Sequence, residues 1–167
     1  GCLIGTHARD KDGIVASMAL CEAAAFYKVQ GKTLWDAMLE MYETFGYYKD
    51  DVIAITHKGV EGIEKIQTIM ADLRKNPPTA FGNYEVLRFR DYQVGEITDL
   101  KTGAKEKTTL PQSNVLYFEL TNDAWICIRP SGTEPKIKIY YGVVGENLED
   151  ANANSEELGK IVKEVLA

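Results

Sequence analysis

An α+β fold, with an antiparallel sheet carrying helices on one face, is what the sequence predicts for the chain after Gly46. Three observations lead there. Short runs of apolar, β-branched and aromatic residues follow one another without room for the crossover helices that parallel strands need. Two segments, around residues 60–73 and 158–166, repeat apolar residues at helical spacing on a single face. The link between two of the runs is a short turn, Asn122-Asp123. Before Gly46 the texture differs: two helices follow each other with nothing strand-like between them.

In chain order, Ile14, Met18, Cys21, Ala25 and Val29 recur at helical spacing, and Val15, Ala19 and Phe26 widen the stripe beyond one amphipathic face. The expectation is a helix covered on more than one side and stopped by Gly31. Thr33 with Asp36 forms a capping-box-like start to a second helix through Leu34, Met38, Met41 and Phe45, which Gly46 closes. If these helices pack on a sheet, its strands come from elsewhere. The sequence opens without methionine on "GCLIGTHARDKDG" and runs straight into the over-apolar helix. A chain entered partway through is expected, with trimming after translation as the alternative.

Residues 52–56 read as a short strand, and "KDD" at residues 49–51 as a solvated turn. Val60, Ile63, Ile66, Met70 and Leu73 mark a helix that "KNPP" terminates. Residues 84–92 alternate, residues 97–109 are a polar hairpin tip around "KTGAKEK", and residues 115–120 and 124–129 are strands joined at Asn122-Asp123. Residues 137–144 are the last strand. "GVVGEN" at residues 142–147 is read as its end, because the third glycine of a dinucleotide fingerprint is missing. Asn147 or Ser155 caps a final helix with Leu158, Ile161, Val162, Val165 and Leu166 on one face. The sum after Gly46 is about two helices and four to five strands.

At 167 residues, 45% hydrophobic and 26% charged, the composition is that of an ordinary globular protein. A net charge of -6 argues against wrapping nucleic acid or coating an anionic membrane, so any anion site is small and focused. Cys2, Cys21 and Cys127 are odd in number and form no C-x-x-C pair, which suggests neither a disulfide framework nor a zinc site and fits a reducing cytoplasm. The most apolar segment, residues 14–27, is shorter than the roughly 20 residues of a bilayer span. It also carries Ser17 and Glu22, and is expected to be a buried helix rather than an anchor. No basic region followed by a cleavage site supports secretion. His7 and His57 stand far apart without a nucleophile context, so a hydrolase triad is unsupported.

The stretch with the most chemistry is "ICIRPSGTEPKIKIYYGV", residues 126–143. Arg129 ends one strand and offers a planar, permanently charged fork suited to phosphate oxygens. Gly132 permits unusual φ values and a close backbone approach, while Ser131 and Thr133 add hydroxyls beside their backbone N–H groups. The two prolines stiffen the loop, and Lys136 and Lys138 add positive potential. Glu134 opposes an anion unless it faces a lysine or the backbone. The same residue types also serve a plain hairpin turn.

"RPSGTEPKIKIYY", residues 129–141, closely resembles the phosphate-binding loop of the α-D-phosphohexomutases, the phosphoglucomutases and phosphomannomutases. "GTHARDKDG", residues 5–13, resembles the segment after that family's sugar-specificity loop. The two lie in the family's order and cover nearly the whole chain. The resemblance implies that residues 1–45 are the end of the family's third, sugar-binding domain, with its sheet lying outside this sequence. Residues 46–167 would be the fourth, a phosphate-binding domain of the TATA-box-binding-protein-like α+β kind. It implies substrate contacts from Lys11, Arg129, Ser131, Gly132 and Thr133, with His7 and Arg9 at most in support.

The family's reaction moves a phosphoryl group between O1 and O6 of a hexose through an enzyme phosphoserine. It implies a hexose phosphate substrate, Mg²⁺, a hexose 1,6-bisphosphate activator, and the polypeptide's N-terminal domains as partners. The family's Thr-Ala-Ser-His-Asn-Pro serine loop and Asp-Gly-Asp-x-Asp metal loop have no counterpart among these residues, and "DKDG" does not substitute for the latter. No catalytic residue, no bound metal or cofactor, and no activity of this chain alone are therefore expected. A stand-alone anion-binding or protein-interaction module is the alternative; a nucleic-acid reader is a third reading that the acidic balance disfavours.

Overall fold

A computed structural model describes residues 3–6, 9–57, 59–132 and 134–166. The chain divides into two compact units, Gly1–Gly46 and Tyr47–Ala167.

The first unit holds α1 (Gly13–Lys28) and α2 (Leu34–Phe45). Asp12 starts α1, its carboxylate accepting from the N–H groups of Ile14 and Val15 at 2.9 and 3.1 Å. Gly31, at φ 75°, ends it, and the Lys32 N–H reaches back to the Tyr27 carbonyl. Both halves of the Thr33/Asp36 capping box form, and Gly46 closes α2. The expected burial of α1 does not occur in this unit. Ile14 is 76% and Met18 68% exposed, and no residue of the helix is buried. A helix apolar on all sides needs several neighbours, and the unit supplies one short one.

The second unit runs β1 (Tyr47–Thr56), α3 (Gly59–Lys75), β2 (Ala80–Phe81), β3 (Tyr84–Asp91), β4 (Glu96–Asp99), β5 (Lys105–Lys107), β6 (Leu116–Leu120), β7 (Trp125–Pro130), β8 (Lys136–Gly145) and α4 (Leu148–Val165). The sheet is open, all its pairings are antiparallel, and its order is β1-β8-β7-β6-β3-β4-β5, with β2 on β3. Eight strands replace the expected four to five. β5 is "KEK", invisible to an apolar pattern, and β2 is two residues long. "KDD" is strand rather than turn: Lys49, Asp50 and Asp51 pair with Val143, Gly142 and Tyr141. β1 is an edge strand, where charged residues are tolerated because one side meets water.

The core lies on one face of the sheet. Ile137, Ile139, Tyr141 and Val143 of β8 join Ile126 and Ile128 of β7 and Leu116 and Phe118 of β6 in one cluster. Ile66, Met70 and Leu73 of α3 and Leu158 and Val162 of α4 cover it. β6 and β7 turn at Asn122 and Asp123, at φ 59° and 55°, the left-handed pair of a tight hairpin.

α4 approaches β8 closely. A Cβ on Gly145 would collide with the Ala151 backbone, and one on Gly159 with the Tyr141 hydroxyl. Asn147 is the helix cap, accepting from the Asp150 N–H at 2.9 Å. Ser155, the other candidate cap, instead lies buried in α4. Burial pushes the Tyr141 phenol up in pKa, and its hydrogen bond with Ser155 partly offsets this.

Residues out of phase with the core form the helix-free face. Tyr117 and Trp125 stack there at 5.7 Å between centroids with planes 5° apart. Arg90 sits over Tyr117 at 5.5 Å.

Substituting Gly145→Ala should destabilise the chain by about 1–3 kcal/mol through backbone overpacking. Asn147→Ala should cost about 1 kcal/mol through loss of the cap. Denaturant unfolding of both variants checks the order, Gly145→Ala being the more damaging.

Candidate functional site

The β7–β8 connection is built by the strands on either side of it. Pairing sets Arg129 directly opposite Lys138, and Pro130 opposite Ile137. Within the loop the Ser131 N–H donates to the Lys136 carbonyl at 2.7 Å, and the Lys136 N–H to the Glu134 carbonyl at 2.7 Å. The Glu134 N–H donates to Ser131 Oγ at 3.3 Å. The far arm is tied to the rest of the unit, because the His57 N–H donates to the Pro135 carbonyl at 2.9 Å. His57 is itself held by the first turns of α3, where a Cβ on Gly62 would run into its carbonyl. A loop fastened at this many points loses little freedom when it binds something.

On the outer side of this loop lies a cleft of about 360 Å³, lined by Arg129, Pro130, Ser131, Gly132, Glu134, Lys138 and Tyr140. Behind it, a smaller depression of about 180 Å³ is floored by Ile63, Ile66 and Met70 of α3, with Asn114 and Gln67 at its rim. The loop is the wall between the two.

Charge pairing singles out the cleft. Arg74 pairs with Asp91, Arg90 with Glu119, and Arg88 with Glu106 and Glu119. The Arg129 side chain, alone among the arginines of this unit, makes no hydrogen bond or ion pair among the described residues, and the Lys138 side chain makes none either. Two unneutralised cations face each other across neighbouring strands, in a cleft that also contains a hydroxyl and the Glu134 carboxylate. Arg129 is felt one step along the same face. Burial pushes the Cys127 thiol up in pKa, and the guanidinium pulls it partly back.

Of the expected site residues, Arg129, Ser131 and Gly132 line this one cleft. Thr133 lies outside the described residues, as does His7. Lys11 belongs to the first unit, where its exposed ammonium holds the Asp10 carboxylate at 2.9 Å and keeps that acid below the usual carboxylate range. Two details differ from expectation. Gly132 does not use a positive φ; a Cβ there would meet nothing within 4 Å, so its contribution is open space beside the loop. The Ser131 N–H is spent inside the loop, and its hydroxyl accepts from the Glu134 N–H there, so neither group points at an anion by default. Tyr140 was not foreseen, although its place two residues beyond Lys138 puts it on the same strand face and makes it legible.

Among the described residues no three of His, Cys, Asp and Glu are grouped so as to hold a metal ion. No helix of the described residues is long and apolar enough to cross a membrane.

Residues 87–164 match the family "Phosphoglucomutase/phosphomannomutase, C-terminal domain". The chain is 37% identical over 156 residues to a phosphoglucomutase of Staphylococcus saprophyticus, covering 93% of this chain and 28% of that protein. It is 36% identical over 150 residues to a phosphoglucomutase of Staphylococcus aureus strain bovine RF122, covering 90% and 27% respectively. The chain thus spans little more than a quarter of the length of these relatives.

The thiol gives a direct check on the electrostatics. Cys127 should alkylate more slowly at pH 8 than exposed Cys21, because its raised pKa leaves less thiolate, and its rate should keep climbing at higher pH. Arg129→Ala should slow it further. Peptide mass spectrometry after iodoacetamide treatment across pH reads both.

Proposed function

We propose, because residues 87–164 match the phosphoglucomutase/phosphomannomutase C-terminal domain family, that this chain is the C-terminal portion of such an enzyme and that its β7–β8 cleft binds the non-reacting phosphate of a hexose phosphate during intramolecular phosphoryl transfer. The observation that carries this reading is the unpaired Arg129 opposite Lys138 beside a fastened loop. A phosphate held at the end of the substrate remote from the reaction supplies binding and orientation, which lower the barrier without touching the transferring group. Arg129 donates a planar fork to the phosphate oxygens, Lys138 adds a second charge, Ser131 Oγ donates a neutral hydrogen bond, and Gly132 leaves room for the ester. Glu134 is positioned to keep the cleft from holding anions indiscriminately. Thr133 completes the set in this proposal, and Lys11 contacts substrate from the first unit.

By the same reading residues 1–45 close a sugar-binding domain whose other elements lie outside this sequence, and residues 46–167 form the phosphate-binding domain. The complete protein is then a cytoplasmic phosphohexomutase, activated by a hexose 1,6-bisphosphate. Mg²⁺ stabilises the transferring group's charge in such an enzyme. The described residues offer no ligand set for it, and no step of the mechanism proposed for this chain runs through the metal.

In the full-length protein, Arg129→Ala should weaken glucose 1-phosphate binding by about ten- to a hundredfold, the loss of one charge-assisted contact. Ser131→Ala should cost less. Unchanged binding and turnover in Arg129→Ala, measured by titration calorimetry and a coupled assay, would overturn the reading. The 167-residue chain alone should show no conversion of glucose 1-phosphate to glucose 6-phosphate, and turnover by it would refute the division of labour.

A further inference from the structure

Resting on that reading, we infer that Tyr140 is the residue of this cleft that contacts the sugar rather than the phosphate, its hydroxyl hydrogen-bonding a ring hydroxyl of the bound hexose. On the helix-free face, charge stops one step away from the loop. Arg129 and Lys138 are paired across β7 and β8 at the loop end. One step further from the loop, on the same face, Cys127 pairs with Tyr140, and Tyr117 of β6 pairs with Cys127. Beyond them lies Trp125, stacked on Tyr117. The surface therefore passes from a cationic end to an aromatic strip within a few residues, and Tyr140 stands where they meet.

Tyr140 lines the cleft with Arg129 and Lys138. It is half-buried, which limits the positions its ring can take. Its hydroxyl makes no hydrogen bond among the described residues, whereas the buried Tyr141 next to it is bonded to Ser155. A phenol held by its ring, with its O–H uncommitted, is a ready donor and acceptor. The partner follows from position. Residues diagonal across two strands are about 7–8 Å apart at Cα, so a phosphate gripped between Arg129 and Lys138 places its ester oxygen and the attached ring toward Tyr140. Inorganic phosphate would not reach that far, and the cleft's volume of about 360 Å³ leaves space beyond a phosphate for a ring. The ligand this gradient fits is a phosphate ester of a hydroxylated, uncharged ring: anionic at one end, with C–H and O–H groups at the other.

The test compares two probes, glucose 1-phosphate and inorganic phosphate, on the full-length protein and its Tyr140→Phe and Arg129→Ala variants by titration calorimetry. Tyr140→Phe keeps the ring and removes only the hydroxyl, and far-UV circular dichroism checks that the variant is folded. The expected result is about fivefold weaker binding of glucose 1-phosphate, the loss of one neutral hydrogen bond, with inorganic phosphate affinity changed less than about twofold. Tyr140→Phe weakening both probes equally would make Tyr140 a phosphate contact and overturn the inference, as would an unchanged affinity for both. Arg129→Ala separates this failure from that of the parent reading: it should weaken both probes, and if it weakens neither, the cleft is not the phosphate site at all.

Discussion

The backbone pairing of β7 with β8 is the constraint on which the site depends. Register in an antiparallel pair is all or nothing, since a slip of one residue would send every side chain to the opposite face. Here it holds Ile126 and Ile128 against Tyr141 and Ile139 on the core side, and Arg129 against Lys138 on the other. The apolar core thus enforces the juxtaposition of two like charges. That juxtaposition carries an electrostatic cost in the unliganded protein, which an anion between the two cations relieves.

The loop that joins these strands is over-determined in the same manner. Internal hydrogen bonds close it on itself, and the bond from His57 to Pro135 ties it to the end of β1. Because β1 pairs with β8 and α3 packs behind His57, motion of the loop would have to be shared with the edge of the sheet and the start of a helix. A binding loop stiffened by its scaffold suits a task of orientation, in which the phosphate must be held in place while chemistry occurs elsewhere.

Placing both helices on one face leaves the other free for recognition. α3 and α4 cover the isoleucine-rich side, and the exposed side carries arginines, lysines and aromatics at alternate positions. Arg88 and Arg90 are neutralised by neighbouring glutamates, so Arg129 is the arginine of this unit whose side chain has no ion pair among the described residues. Net charge constrained the partner class, and local pairing selected the position.

The sequence by itself determined the α+β class, the helix cap at Thr33, the tight turn at Asn122-Asp123 and the loop around Arg129, because each rests on residue types within a few positions of one another, whereas the structure chose Asn147 over Ser155 as the cap of α4. Propensity could not find β5, whose "KEK" becomes a strand only by pairing with β4. Nor could it find the strand character of Lys49, Asp50 and Asp51, which their pairing with β8 imposes. Only the tertiary structure decided which arginine is left unpaired, since that depends on Glu119 and Glu106 reaching Arg88 and Arg90, and Asp91 reaching Arg74, across strands distant in sequence. It likewise brought Tyr140 beside Arg129, because the distance between neighbouring strands is fixed by backbone hydrogen bonds rather than by separation along the chain.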